Sequence, residues 1–279
     1  MKKKCKKNVS FINNAITFAI AVGIAVMIYP MVSQMYYKIR ENGDAIVFEQ
    51  RVKETSNSEI KHKLMLCKEY NDSIKNGGLS TADGDGKADG IENYKNMVQK
   101  HEKIGYIAIP KINQNLPIFV GISDELLEEG AGQMQGTSLP IGGVGNHSVI
   151  AAHSGLPNIR LFTDLNKLEI GDEFYITNFK ETLAYKVDQK KVVLPTDFSD
   201  LGTMVGKDYV TLMTCTPYRV NTHRLLVRGH RVSYDASKVQ KGKKLITLKV
   251  ILEIALVLIP VLSAGIYYLK YKKDRSVSR

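Results

Sequence analysis

The sequence predicts a mainly β domain, a closed barrel or sandwich of seven or eight short strands, with a helical segment before it and an apolar span on either side. Three observations predict it. From Ile104 onward, short runs rich in β-branched and aromatic residues recur near period two, divided by Gly, Pro, Asn and Asp. Before Ile104 the apolar spacing is helical. Two long runs, 11–29 and 248–268, hold no charge in the first and only Lys249 and Glu253 in the second.

Taken in order, residues 1–10 form a basic tail and 11–31 a transmembrane helix, since about 20 apolar residues cross a bilayer's hydrocarbon core. The same stretch fits a signal peptide less well, because no small-residue cleavage site precedes the polar segment. Residues 32–103 read as an extracellular helical segment. Ile39, Ala45, Ile46, Val47, Val52, Ile60, Leu64, Met65 and Cys67 stand at helical spacing, and Asn76, Gly77 and Gly78 end that pattern. Thr81–Glu92 is a loop on composition, and a further helix is expected over 92–103. The strand runs are then 104–109, 116–121, 148–153, 173–177, 183–194, 209–214 and 225–232, with a short helix around 162–168. They define a catalytic domain over 104–235. A linker, 236–247, leads to a second transmembrane helix, 248–269, and a basic tail, 270–279.

The net charge is +11. Residues 32–248 hold 28 Lys and Arg against 26 Asp and Glu, so most of that charge lies in the tails. Basic clusters beside spans mark the cytoplasmic side, which places both termini inside and the intervening domain outside the cell membrane. The near-neutral middle gives no support for a nucleic-acid partner. Three cysteines, Cys5, Cys67 and Cys215, make no disulfide framework for an exported domain.

The chemistry concentrates between Asp208 and Ser233. Two strand runs flank the turn 216–222, Cys215 closes the first, and Arg224 opens the second. Neighbouring strands lie roughly 4.8 Å apart, so Cys215 and Arg224 can face one another. A cation beside a thiol favours the thiolate, the form that attacks. A cysteine nucleophile also needs an acid–base partner. Of six histidines, His153 is the best placed, at the end of a strand run and the start of the Ser154–Pro157 loop. Arg219 and Arg228 rival Arg224. A metal site drawn from His147, His153, Cys215 and His223 lacks any short-spaced ligand pair. No phosphate-cradling G-x-x-x-x-G-K-[ST] sequence is present.

The segments TLMTCTP, NTHRLLVRGHR, SVIAAHSGLPN, LFTDLNKLEIGDEFY and EGAGQMQGTSLPIGG make the signal more specific. Together they resemble the class C, or pilin-polymerising, sortases of Gram-positive bacteria, over about 104–233. The resemblance implies an eight-stranded sortase-type β-barrel with an N-terminal helical, lid-like segment. It implies Cys215 as nucleophile, His153 as general acid/base and Arg224 as the substrate- and oxyanion-binding arginine. Thr214 and the 195–207 loop would shape the groove. The expected partners are pilin or surface proteins bearing an LPxTG-like sorting signal, with a pilin lysine as acceptor. No cofactor is required for that exchange of amides. Two other functions remain open: attachment of surface proteins to a cell-wall precursor, and a non-catalytic calcium-binding surface module.

One departure stands out. The family's lid carries an Asp-Pro-aromatic motif, and residues 70–95 hold no such triplet. Instead Asp83, Asp85, Asp89 and Glu92 stand near EF-hand loop positions, with Thr81 where an Asp is normal. A solvated acidic turn and a calcium loop both fit this pattern.

Overall fold

The structure is a computed structural model and describes residues 50–77, 88–156 and 159–237, with a few positions between 22 and 48. The chain divides into two compact units, 1–233 and 234–279, and only 234–237 of the second are described. Among the described residues no helix is long and apolar enough to cross a membrane. The span expected at 11–31 lies largely outside them, and that at 248–269 wholly so.

Eight strands close a barrel: β1 (Lys103–Ile109), β2 (Gln114–Val120), β3 (Ala131–Gln133), β4 (Asn146–Ala151), β5 (Glu173–Thr177), β6 (Thr182–Val193), β7 (Asp208–Thr216) and β8 (His223–Val232). Their order around the barrel is β1-β2-β3-β4-β7-β8-β6-β5. The pairings β2–β3 and β4–β7 are parallel, and the rest are antiparallel. Alternation sorts the side chains. Ile107, Leu116, Ile118, Ile150, Phe174, Leu183, Tyr185, Val210, Leu212, Leu225 and Val227 fill the interior. Residues one step along β4, β7 and β8 face outward, where Val149, Met213 and Leu226 meet Val193 and Leu201 in a second apolar cluster. A register shift between Val187 and Gln189 in β6 lets Tyr185 and Val187 face in while Val193, at the same sequence parity, faces out.

The expected strands form within one or two residues of their predicted bounds, with two differences that matter. Strand β3 has only three residues and a central glycine, too short for an alternating pattern to show. Strand β4 ends at Ala151, so His153 stands two residues beyond the strand that was expected to carry it.

Helix α1 (Asn57–Gly77) starts where Ser56 Oγ accepts the Glu59 N–H at 3.2 Å and stops at Gly77, as the sequence indicated. Helix α2 (Ala88–Gln99) begins four residues before the expected Glu92 and ends before the chain turns into β1. The loop read over 81–92 therefore stops short of Ala88. Acidic residues suit a helix's first turn as well as a loop, so composition misplaced the boundary. Between α1 and α2, residues 78–87 lie outside the described residues, and part of the expected lid-like stretch falls there.

Tyr70 and Tyr94 of the two helices stack with centroids 4.2 Å apart, and Tyr94 Oη donates to Gln133 Oε1 of β3 at 3.0 Å. Asn71, fully buried, donates from Nδ2 to Leu139 O at 3.0 Å and accepts Leu139 N–H at 2.7 Å. The helical segment is thus bound into the barrel through satisfied buried polar groups. A third helix, α3 (Asp124–Glu129), was not anticipated: six residues give too few turns for a periodic signal.

Candidate active site

Strand β7 supplies the centre of the site. In the antiparallel β7–β8 register Cys215 sits opposite Arg224, and in β8–β6 Arg224 sits opposite Val193. On the other side β7 pairs in parallel with β4, where Ala151 faces Met213, 62 residues on. His153 and Cys215 stand at that same offset. The chain keeps the alignment past the end of β4, because Ala152 N donates to Met213 O at 3.1 Å and Thr214 Oγ1 donates to Ala152 O at 2.8 Å. His153, Cys215, Arg224 and Val193 therefore form one row across four neighbouring chain segments, each step about 4.8 Å. All four share the sequence parity of the outward residues Val149, Met213 and Leu226. The structure brings together the three residues that the sequence singled out.

Two loops hold the row's ends. After His153, the backbone turns under Phe162, whose N–H donates to His153 O at 3.1 Å, and Phe162 is fully buried. Gly155 has φ 107°, and a Cβ there would overlap Thr163 Oγ1 and press on Tyr218. That close approach demands glycine. The β7–β8 connection, 217–222, places Arg219 and Asn221 at φ 66° and 61°. Ser154 Oγ donates to Asn221 Oδ1 at 3.4 Å, and Arg224 Nη1 donates to Asn221 O at 3.2 Å and His223 O at 3.1 Å. These contacts steady the guanidinium while its Nε and Nη2 have no partner among the described residues. Asn221 and Ser154 escaped the sequence reading, since their link joins loops far apart in the chain.

The rivals are otherwise engaged. Arg228 Nε pairs with Asp188 Oδ1 at 2.9 Å and its guanidinium lies 4.3 Å from the Tyr209 ring centroid. Arg219 lies over Tyr218 in the turn. His230 faces Asp188 at 3.4 Å, and His223 Nδ1 meets Thr222 Oγ1 at 2.9 Å. His147 is buried, with Nδ1 2.8 Å from Gly202 O and Nε2 2.7 Å from Thr211 Oγ1. Burial holds its pKa below the usual imidazole value, with Arg228 acting in the same direction.

The two described cysteines differ sharply. Cys67 is 1 % exposed, and burial with a nearby Glu102 pushes its thiol up to about 12. Such a thiol is inert. Cys215 is partly exposed at the open end of its strand, and both cysteines are free. Of the possible calcium ligands, Asp83 and Asp85 lie outside the described residues, while Asp89 and Glu92 fall on α2. Among the described residues no group of His, Cys, Asp and Glu has a metal-holding arrangement.

A thiol flanked by an imidazole just past the end of one strand and a guanidinium on another suits acyl transfer: attack by sulfur, proton movement by the ring, anion stabilisation by the fork.

Known proteins resemble this chain in both sequence and structure. The model of the sortase domain matches residues 107–232. The structure is similar to sortase C1 of Streptococcus agalactiae, at 44% identity and TM-score 0.63, covering 68% of this chain and all of that one. It is also similar to sortase C1 of Streptococcus suis, at 53% identity and TM-score 0.57, covering 62% of this chain and 97% of the other. In sequence it is 30% identical to Sortase A of Bacillus anthracis, over 50% of this chain and 65% of that protein. The chain spans about half to two thirds of the length of the first curated relatives it matches.

Proposed function

The chain belongs to the sortase family, and from that premise we propose that it is a membrane-anchored cysteine transpeptidase that joins pilin subunits. The observation that carries the reading is the row His153–Cys215–Arg224 on one face of the barrel. Cys215 passes its proton to His153, its Sγ attacks the threonine carbonyl of an LPxTG-like signal, and the guanidinium of Arg224 receives the developing oxyanion. His153 gives a proton to the departing glycine amine, leaving a thioester on Cys215. An incoming lysine amine then loses its proton to His153 and attacks the thioester. The amide forms, the thiol is restored, and no external energy source enters because one amide replaces another.

Pilin substrates are supported by the likeness to a pilus-related sortase C of Group B Streptococcus, 53% identical over 67% of this chain. A cell-wall amine as acceptor is the second reading, supported by the likeness to proteins named Sortase A. Anchoring rests on the apolar stretches 11–31 and 248–269, with both termini cytoplasmic and the barrel outside. Calcium at Asp83, Asp85, Asp89 and Glu92 belongs to the same proposal as an ordering ion, and calorimetric titration of the protein with calcium tests it.

The decisive experiment is intact-protein mass spectrometry of the full chain in detergent after mixing with an LPxTG-type peptide. An acyl adduct on the wild type that is absent from Cys215→Ala is expected. No adduct on folded wild-type protein would overturn the transpeptidase reading. Offering a pilin domain and a peptidoglycan-type oligoglycine amine to the adduct then separates the two acceptors.

A further inference from the structure

Strand β4 carries one residue that the mechanism does not use and that is nonetheless held with unusual completeness. His147 is 1 % exposed, and both ring nitrogens are engaged. The Gly202 carbonyl can only accept, so Nδ1 carries the ring's proton and Nε2 accepts from Thr211 Oγ1. Only the neutral ring in that tautomer makes both bonds in this sense, and the effect of burial on its pKa agrees. Tyr209 meets the ring edge-on at 5.7 Å.

Gly202 belongs to the connection from β6 to β7, residues 194–207. That connection is fastened at several points, including Lys207 O, which accepts Gly145 N–H at 2.6 Å, and Asp200 Oδ1, which accepts from Gln189 Nε2 at 3.5 Å. Leu201 is buried against Val149, Val193 and Leu226, Asp200 Oδ2 meets Lys191 Nζ at 2.6 Å, and Gly202 O is taken by His147. Among these the ion pair lies at the surface, where it contributes little. The His147 bond comes from a side chain that is itself buried. Beyond the fastening, Phe198, Met204 and Val205 are exposed, Val205 fully.

The position of this loop relates it to the catalytic row. Met213 and Leu226 face each other in the β7–β8 register two residues before Cys215 and two after Arg224, and Leu201 packs with them. A peptide with its reacting carbonyl at Cys215 therefore has the partly exposed Met213 beside it, over the buried Leu226, and the 194–207 loop as adjoining wall.

We propose that His147 is a positioning residue for the donor peptide, acting through Gly202 to hold the 194–207 loop at the wall of the groove. This rests on the transpeptidase reading above. His147 touches no reacting atom; it governs how tightly the peptide is held.

The test uses the full chain in detergent. Kinetic constants for an LPxTG-type peptide are measured at saturating amine for wild type, His147→Leu, His147→Asn and Thr211→Val, each at a temperature where circular dichroism shows complete folding. Hydrogen–deuterium exchange over 200–204 and the rate of Cys215 alkylation by iodoacetamide are read in parallel. His147→Leu is expected to raise KM about tenfold, as loss of a buried hydrogen bond implies, with kcat within about twofold and alkylation unchanged. Exchange over 200–204 should quicken. His147→Asn, whose amide can still donate to Gly202 O, should recover most of the KM, and Thr211→Val should fall between. An unchanged KM in folded His147→Leu overturns the proposal, as does unchanged exchange at 200–204. A parallel fall in kcat and alkylation rate also overturns it, because it would place the effect on the catalytic row. If His147→Leu fails to fold, Thr211→Val carries the same KM and exchange criteria. Wild-type protein that forms no adduct overturns the transpeptidase reading itself, and exchange alone then still reports whether His147 pins the loop.

Discussion

The two ends of β7 treat polar groups in opposite ways. At the first residue, Asp208 accepts from Tyr185 Oη at 3.0 Å and from Gly143 N at 2.8 Å, with Arg231 at 3.8 Å. Burial raises its pKa above the ordinary carboxylate value against those hydrogen bonds. At the other end neither the Cys215 thiol nor the His153 ring has a hydrogen-bond partner among the described residues, and Arg224 gives only Nη1 to the backbone. The closed end satisfies Asp208 within the fold and so stabilises it. The open end leaves a thiol, an imidazole and part of a guanidinium without partners among the described residues, and its rigidity comes from the backbone pairing beneath.

That contrast can be broken in four ways. Cys215→Ser should lower acyl transfer by roughly three orders of magnitude or more, measured as product per folded enzyme, with thermal unfolding unchanged. A large drop in unfolding temperature would show that the open end also carries stability. Arg224→Lys keeps the charge but loses the planar fork, and kcat should fall by about a hundredfold to a thousandfold in a steady-state assay. Asp208→Ala at the closed end should do the reverse. It strands the Tyr185 hydroxyl and costs about 1–3 kcal/mol in urea unfolding, while kcat per folded molecule stays at the wild-type value.

The smallest effect is in pH. His147 has a folded pKa below its ordinary 6.5, owing first to burial and then to Arg228, while Gly202 O, Asp188 and Asp200 oppose the shift. Below pH 6.5 the unfolded chain binds a proton at this ring that the folded chain refuses. The stability is therefore present above pH 6.5 and falls as pH drops through the folded value. Unfolding midpoints of wild type against His147→Asn between pH 7.5 and about pH 5 should diverge in that sense, the variant lacking the ring's share of the slope.

The sequence made one half of the site legible and hid the other. Cys215 and Arg224 flank a short turn between two alternating runs, so their pairing follows from local pattern. The place of His153 does not, because its alignment with Cys215 comes from a parallel pairing whose partner strand stands 62 residues away. No local periodicity encodes that register. The sequence still singled out His153, from its place where a strand run meets a loop, and the resemblance supplied its expected role. Long strands such as Thr182–Val193 were plain from their β-branched alternation, whereas Ala131–Gln133 and Asp124–Glu129 were too short to leave a period. His147 was weighed only as a metal ligand. Its parity with Val149 on β4 was the signal that it faces the outer wall. The β6 bulge that puts Val193 in the row had no sequence mark, since a register shift depends on the partner strand.

The parallel seam between β4 and β7 has a consequence for how the chain becomes an enzyme. Contacts that distant in sequence form slowly, because a long loop must be closed before any of them is made. A chain emerging from synthesis bears the histidine well before the cysteine, and the cysteine before the arginine. Cys215 and Arg224 can pair in their own hairpin, but the histidine joins them only when β7 is laid against β4 in the first half of the barrel. The complete set of three is therefore absent until the barrel is shut.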